Sequence, residues 1–239
     1  MKTLKSETAF SHVEVVMALA IGGILCMGMF QLYLSSASGA LVQNETVQMQ
    51  ADARAAMDIM AQNLRQLYGS ATISTTLTPN DTLSFTRLED SGYSSGGNTA
   101  SSLNDTRKAW ATNVFAPSGA GAYVVQIVGG TGMGQTNSIS GNTGSQLSLS
   151  SAWGTLPDDK SLYVITRSKT LTRTADNMLL SSAAGGRSAV LAANITSLSF
   201  SQPNASTISV TETARTSIVD PRTKSYVYYT LTQSVIPRN

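Results

Sequence analysis

From position 15 to position 34 the chain reads VVMALAIGGILCMGMFQLYL, a run without a single charge and with one Gln. As a helix this run is roughly 30 Å long, the thickness of a bilayer's hydrocarbon core. Such a segment dictates the architecture around it, because only lipid or other apolar helices satisfy its side chains. One acid, Glu14, borders the run. A bare carboxylate at bilayer depth is costly, so it asks for a partner charge and for a function.

A removable secretory signal is the simplest account of an apolar N-terminal segment, and two observations weigh against it. The run exceeds the ~7 to 15 residues usual for a signal core, and no clear small-x-small cleavage site with a turn signal follows it. Instead the apolar pattern continues. Met49, Ala53, Ala56, Met60, Leu64 and Leu67 fall on one face of a helix, with Asp52, Asp58, Gln62 and Arg65 mostly off it. No proline interrupts residues 10–68, and Gly69 is a natural stop. The expectation is one continuous helix about 90 Å long. Its first half belongs in a membrane or filament core, and its second half carries a folded body.

Beyond Gly69 the period changes from helical to alternating. Leu83 and Phe85, then Tyr123, Val125 and Ile127, then Leu198 and Phe200, Ile208 and Val210, and Val227, Tyr229 and Leu231 read as strands. Residues 146–149, 162–167, 170–173 and 178–180 are further candidates, and the turn-rich stretches 91–102 and 129–144 read as loops or hairpin tips. The fold class expected is α+β, a long N-terminal helix packed on an antiparallel β-sheet body.

Composition narrows the function. The chain has 239 residues, a formal charge of +2 and no basic run, so nucleic-acid binding is unsupported. Its one cysteine, Cys26, and its one histidine, His12, both lie at or in the N-terminal segment. The body therefore has no disulfide, no cysteine zinc cage and no Ser-His or Cys-His pair within one chain, and no enzyme activity is expected. Gly130, Gly132 and Gly134 miss the spacing of a phosphate-binding loop. Asp158 and Asp159, after Pro157, are weak calcium candidates, adjacent acids in a turn being usually solvated. No cofactor is expected. Tyr226 and Tyr228 alternate with Tyr229 across a strand, which points to mixed core and surface packing.

The N-terminus carries a resemblance to a family. A short basic leader, MKTLKSETA, is followed by Phe10, by Glu14 four residues on, and by a long apolar helix. This resembles the class III signal of type IV pilins and type II secretion pseudopilins, whose pattern is Gly-Phe-Thr-Leu-Ile-Glu. Ala9 takes the place of the glycine before the cut, Phe10 that of the first mature residue, and Glu14 that of the fifth. Two positions depart from the pattern. Ala9 is a small-for-small replacement, and His12 stands where the family usually has leucine, close enough in sequence to compete for Glu14. The stretch NETVQMQADARAAMDIMAQNLRQL, residues 44–67, is also similar to the corresponding helix of PilW-type minor pilins and of the J-type pseudopilin. Ala18, Gly22 and Cys26 stand four apart on the apolar helix, a small-xxx-small stripe that permits close helix approach.

The resemblance implies four parts: a leader at 1–9 removed by prepilin peptidase, a transmembrane or filament-core helix at 10–34, an amphipathic half at 35–68 and a β-rich head at 69–239. It implies cleavage between Ala9 and Phe10, N-methylation of Phe10, and an assembly charge pair between the new Phe10 amine and Glu14 of a neighbouring subunit. The function it implies is that of a minor pilin that co-assembles into, or primes, a type IV pilus. A type II secretion pseudopilin and a pilus-tip adhesin are the alternatives. Expected partners are other pilin subunits, the inner membrane, prepilin peptidase and the assembly platform. The expected location is the inner membrane, head outside the cytoplasm, and then the pilus at the cell surface.

Overall fold

The computed structural model describes residues 11–74, 82–116, 123–183, 188–204 and 206–237. A single helix, α1 (His12–Arg65), runs 54 residues, about 80 Å. Among the described residues it is followed by twelve strands: β1 (Leu67–Ser74), β2 (Thr82–Tyr93), β3 (Ser102–Asn104), β4 (Val124–Gly129), β5 (Thr136–Asn142), β6 (Gln146–Leu149), β7 (Leu162–Arg173), β8 (Leu179–Ala183), β9 (Ala189–Ala192), β10 (Ile195–Asn204), β11 (Thr207–Arg215) and β12 (Tyr228–Val235). The class is α+β, with one long apolar helix and antiparallel sheets.

Every strand pairing is antiparallel. The larger sheet runs β1-β2-β7-β4-β5-β6-β3, with β8 and β9 attached beside β7. Strand β7 organises it. One edge pairs with β2 along its whole length, while the other is shared between β4 at residues 162–166 and β8 at residues 169–173. The smaller sheet is β10-β11-β12.

Two cores follow from this layout. In the first, Met49, Ala53, Ala56, Met60 and Leu64 of α1 pack on side chains of both sheets, among them Leu83, Leu171, Ile195 and Val210. The alanines matter as much as the large residues: Ala53 and Ala56 are buried to 1% and 0% exposure, and they let the helix lie close to the strands. The second core lies at the far end of the larger sheet, around Leu103, Ile127, Ile139, Leu147, Tyr163 and Ile165. Strand β7 serves both, giving Leu171 to the first and Tyr163 and Ile165 to the second.

The helix ends earlier than its apolar periodicity predicts. It stops at Arg65, with Gln66 as C-cap, and Leu67 already belongs to β1. Leu67 is buried, but as a strand residue opposite Arg87, and Leu88 N–H docks on Gln66 O at 2.8 Å. Gly69, at φ +77°, is spent inside β1, where the register shifts, rather than on ending the helix. The amphipathic half therefore closes at 65, not 68.

The stretches 91–102 and 129–144 are also less loop-like than expected. Strand β2 reaches Tyr93, and β5 lies wholly within the second stretch. The inward face of β5 carries Asn137 and Asn142 beside Ile139, all buried. The Asn137 amide donates to Ser151 O at 2.7 Å, and the Asn142 amide to Ala111 O at 2.8 Å while its Oδ1 accepts Phe115 N–H at 2.9 Å. Buried amides with all these bonds made replace the apolar signal that marks a strand. The two segments expected at 162–167 and 170–173 are one strand, β7, because β2 pairs through Ser168 and Lys169 without interruption.

Candidate functional site: the bare half of the helix

The first half of α1 packs on nothing among the described residues. Its most apolar 18-residue window has a mean hydropathy of 2.2 and is 0% buried, so the helix is long and apolar enough to cross a membrane. Leu19, Ile24 and Leu32 are each more than 70% exposed. Soluble monomers rarely leave an apolar surface of this extent in water, and a membrane interior is an environment compatible with it. The helix first becomes buried at Val42, and from Met49 onward it faces the sheets.

Two hydrogen bonds and one close approach hold the head at that transition. Glu45 Oε1 accepts the Ser217 hydroxyl at 2.8 Å, Arg54 donates to the Tyr229 hydroxyl at 3.3 Å and lies over its ring, and Arg222 approaches Gly39. A Cβ at position 39 would stand 3.5 Å from the Arg222 guanidinium. The loop between β11 and β12 thus descends along the helix to within five residues of the apolar run.

At the other end, Ser11 is the N-cap and Glu14 the third helical residue. Glu14 Oε2 accepts the Ser11 backbone N–H at 3.0 Å, so the carboxylate answers one of the orphan donors of its own helix and faces the positive end of the helix dipole. Its Oε1 has no partner among the described residues. His12 and Glu14 are two positions apart on the helix, a spacing that turns side chains away from each other. That removes the basis for expecting His12 to compete for the carboxylate. Ala9, Phe10 and the leader 1–9 lie outside the described residues. Ala18, Gly22 and Cys26 lie on the bare half, Cys26 is exposed, and nothing stands within 4 Å of a Cβ built on Gly22. The stripe is open to a neighbouring helix.

Three of the head's acids, Asp158, Asp105 and Asp90, are engaged internally. Asp158 accepts the Thr131 hydroxyl at 2.7 Å and the Lys160 backbone N–H at 3.0 Å, contacts that hold its carboxyl below the usual range and use it to close a turn. Asp159 is exposed beside it, and no cluster of three His, Cys, Asp or Glu able to hold a metal occurs among the described residues. Asp105, 1% exposed, is pushed up by burial but pulled further down by Arg107 Nε at 3.0 Å and the Tyr163 hydroxyl at 2.9 Å. Burial and Asp105 together raise the Tyr163 phenol. Asp90 is likewise opposed by burial and held low by Lys108 Nζ and Trp110 Nε1, each at 2.7 Å. These contacts tie the loops of the second core together.

Among the buried polar residues that the sequence did not single out, two stand on otherwise apolar faces. Asn63 sits on the helix face that packs on the sheet, and Glu212 sits on the inward face of β11. In both cases the signal was present, since Asn63 is three residues from Met60 and Glu212 keeps step with Ile208 and Val210. The chain matches no family model, no curated protein and no solved structure.

Proposed function

We propose that this chain is a minor pilin, which joins or primes a type IV pilus by burying the bare half of α1 among the helices of neighbouring subunits. The observation that carries the reading is the contrast along one unbroken helix: residues 13–34 face outward almost throughout, while Met49 to Leu64 lie buried on antiparallel sheets. A helix half bare and half docked is the layout the pilin resemblance implies. Before assembly the bare half sits in the inner membrane with the head outside the cytoplasm.

Glu14 sets the register. In the membrane or filament core an unpaired carboxylate is costly, and the amine freed by cleavage before Phe10 is the complementary charge on the next subunit. Glu14 retains Oε1 for that amine while Oε2 caps its own helix. A subunit that slips leaves one ion stranded. Glu14→Gln keeps the shape and the membrane segment but removes the charge. We expect normal membrane insertion and at least about a hundredfold less of the variant in sheared pili, since stranding a buried charge costs about 3 kcal/mol or more. Quantitative immunoblotting of membranes and pili checks this, and equal incorporation of variant and wild type would refute the role.

A further inference from the structure

Where the C-terminal end of α1 meets the larger sheet, a cavity of about 360 Å³ opens between helix and strands. Its walls include Gln62, Asn63 and Gln66 from the helix, Arg87 from β2, Lys169 from β7 and Ser181 from β8. The charge there is unbalanced. Arg87 stands directly opposite Arg167 in the β2–β7 ladder, and Lys169 is two positions along on the same face. Like charges placed opposite each other in a sheet are destabilising unless something compensates.

The compensation within the chain is small. Arg87 Nη1 and Lys169 Nζ both donate to one neutral acceptor, Asn63 Oδ1, each at 3.2 Å. Among the described residues the only acid in salt-bridge range of the group is Glu89, 3.7 Å from Arg87 Nε and beyond hydrogen-bond reach. Arg87 Nε and Arg167 Nε are buried with no hydrogen-bond partner among the described residues. Arg167 is held from outside the cavity by Tyr123, which accepts its Nη1 at 3.0 Å and stacks under it at 4.6 Å. Burial, then Arg87 and Arg167, push the Lys169 ammonium below its ordinary range, the response of a cation crowded by like charges.

The helix C-terminus does not account for the cluster. Its negative end attracts cations, yet neither Arg87 nor Lys169 donates to a helix carbonyl. The nearby carbonyls have other donors: Asn63 Nδ2 takes Ile59 O at 2.9 Å, and Leu88 N–H takes Gln66 O. What remains is a half-enclosed space with two convergent cations, a third behind them, and uncharged amides and a hydroxyl around the rim.

We propose that this cavity binds one oxyanion group, a carboxylate or phosphate of a small solute, between Arg87 and Lys169. The inference is independent of the filament reading, since the site lies on the head and uses nothing from the bare half of α1. The anion replaces Asn63 Oδ1 as the shared acceptor and neutralises the Arg87–Arg167 repulsion. Charge-assisted bonds from a guanidinium and an ammonium supply the affinity.

The test is titration calorimetry of the full chain in detergent micelles at matched ionic strength, with inorganic phosphate in one arm and glucuronate in the other. Saturable binding in either arm is expected, and the arm that binds more tightly separates a phosphate from a sugar-acid ligand. Lys169→Gln should weaken it about tenfold or more, as loss of one charged hydrogen bond requires. Asn63→Asp places a carboxylate between the two cations from within, and should abolish binding while the thermal transition stays cooperative. No saturable heat with either probe, or undiminished affinity in both variants, would overturn the proposal.

Discussion

Glu212 is a carboxylate where the sheet should be apolar. It is 0% exposed on β11, its neighbours across the ladder are Leu198 and Leu231, and neither oxygen has a hydrogen-bond partner among the described residues. Burial alone pushes its carboxyl from 4.5 up to about 7. Because the folded value is the higher one, the folded chain holds a proton that the unfolded chain has lost. The neutral acid is tolerated at low pH, and stability falls as pH rises from about 4.5 through about 7. The full penalty is on the order of 3 kcal/mol. Thermal melts at pH 5 and pH 8 should show the wild type less stable at the higher pH, and Glu212→Gln should flatten the difference. Gly92 makes a second point at this scale. A Cβ there would stand 2.6 Å from Asp105 Oδ2 and 2.8 Å from the Tyr163 hydroxyl. Glycine leaves room for that buried bond. Gly92→Ala is expected to cost about 1–3 kcal/mol, measurable by denaturant unfolding.

Among the elements, α1 carries two functions on one continuous hydrogen-bonded rod. Met60 is fully buried against the sheets, so Met60→Ala should cost about 2–5 kcal/mol of head stability. It should leave membrane insertion untouched, because that depends on residues outside the packed half; urea unfolding and a membrane fractionation check the two effects separately. The helix was legible in the sequence because a 3.6-residue period repeated over many turns is hard to produce by chance, and the expected face is the one buried. Its end was not, because Leu67 stays in phase with the helix while belonging to β1. Strands whose inward faces are apolar, such as β6 and β10, could be read from alternation. Strand β5 could not, since its inward amides look like loop residues until their partners at Ala111, Phe115 and Ser151 are in place. Likewise, the cationic cavity is built by residues from α1, β2, β7 and β8, distant in sequence and joined only by strand order.

For the whole molecule, the two cores divide the labour. The first clamps the head to α1, and the second, braced by Asp90 and Asp105, builds the far end of the larger sheet without touching the helix. A head attached in this way is held rigidly to the rod just above the bare segment, by Glu45, Arg54 and the loop that carries Arg222. In the proposed filament, assembly through the helix would fix where each head stands. The central claim is that this bare helix is a processed pilin helix seated in a pilus, and mass spectrometry of purified pili tests it most directly. The account predicts peptides of this chain in the pili, with an N-terminal peptide that begins at methylated Phe10. Absence of the chain from pili, or an N-terminus that retains the leader through Ala9, would contradict it.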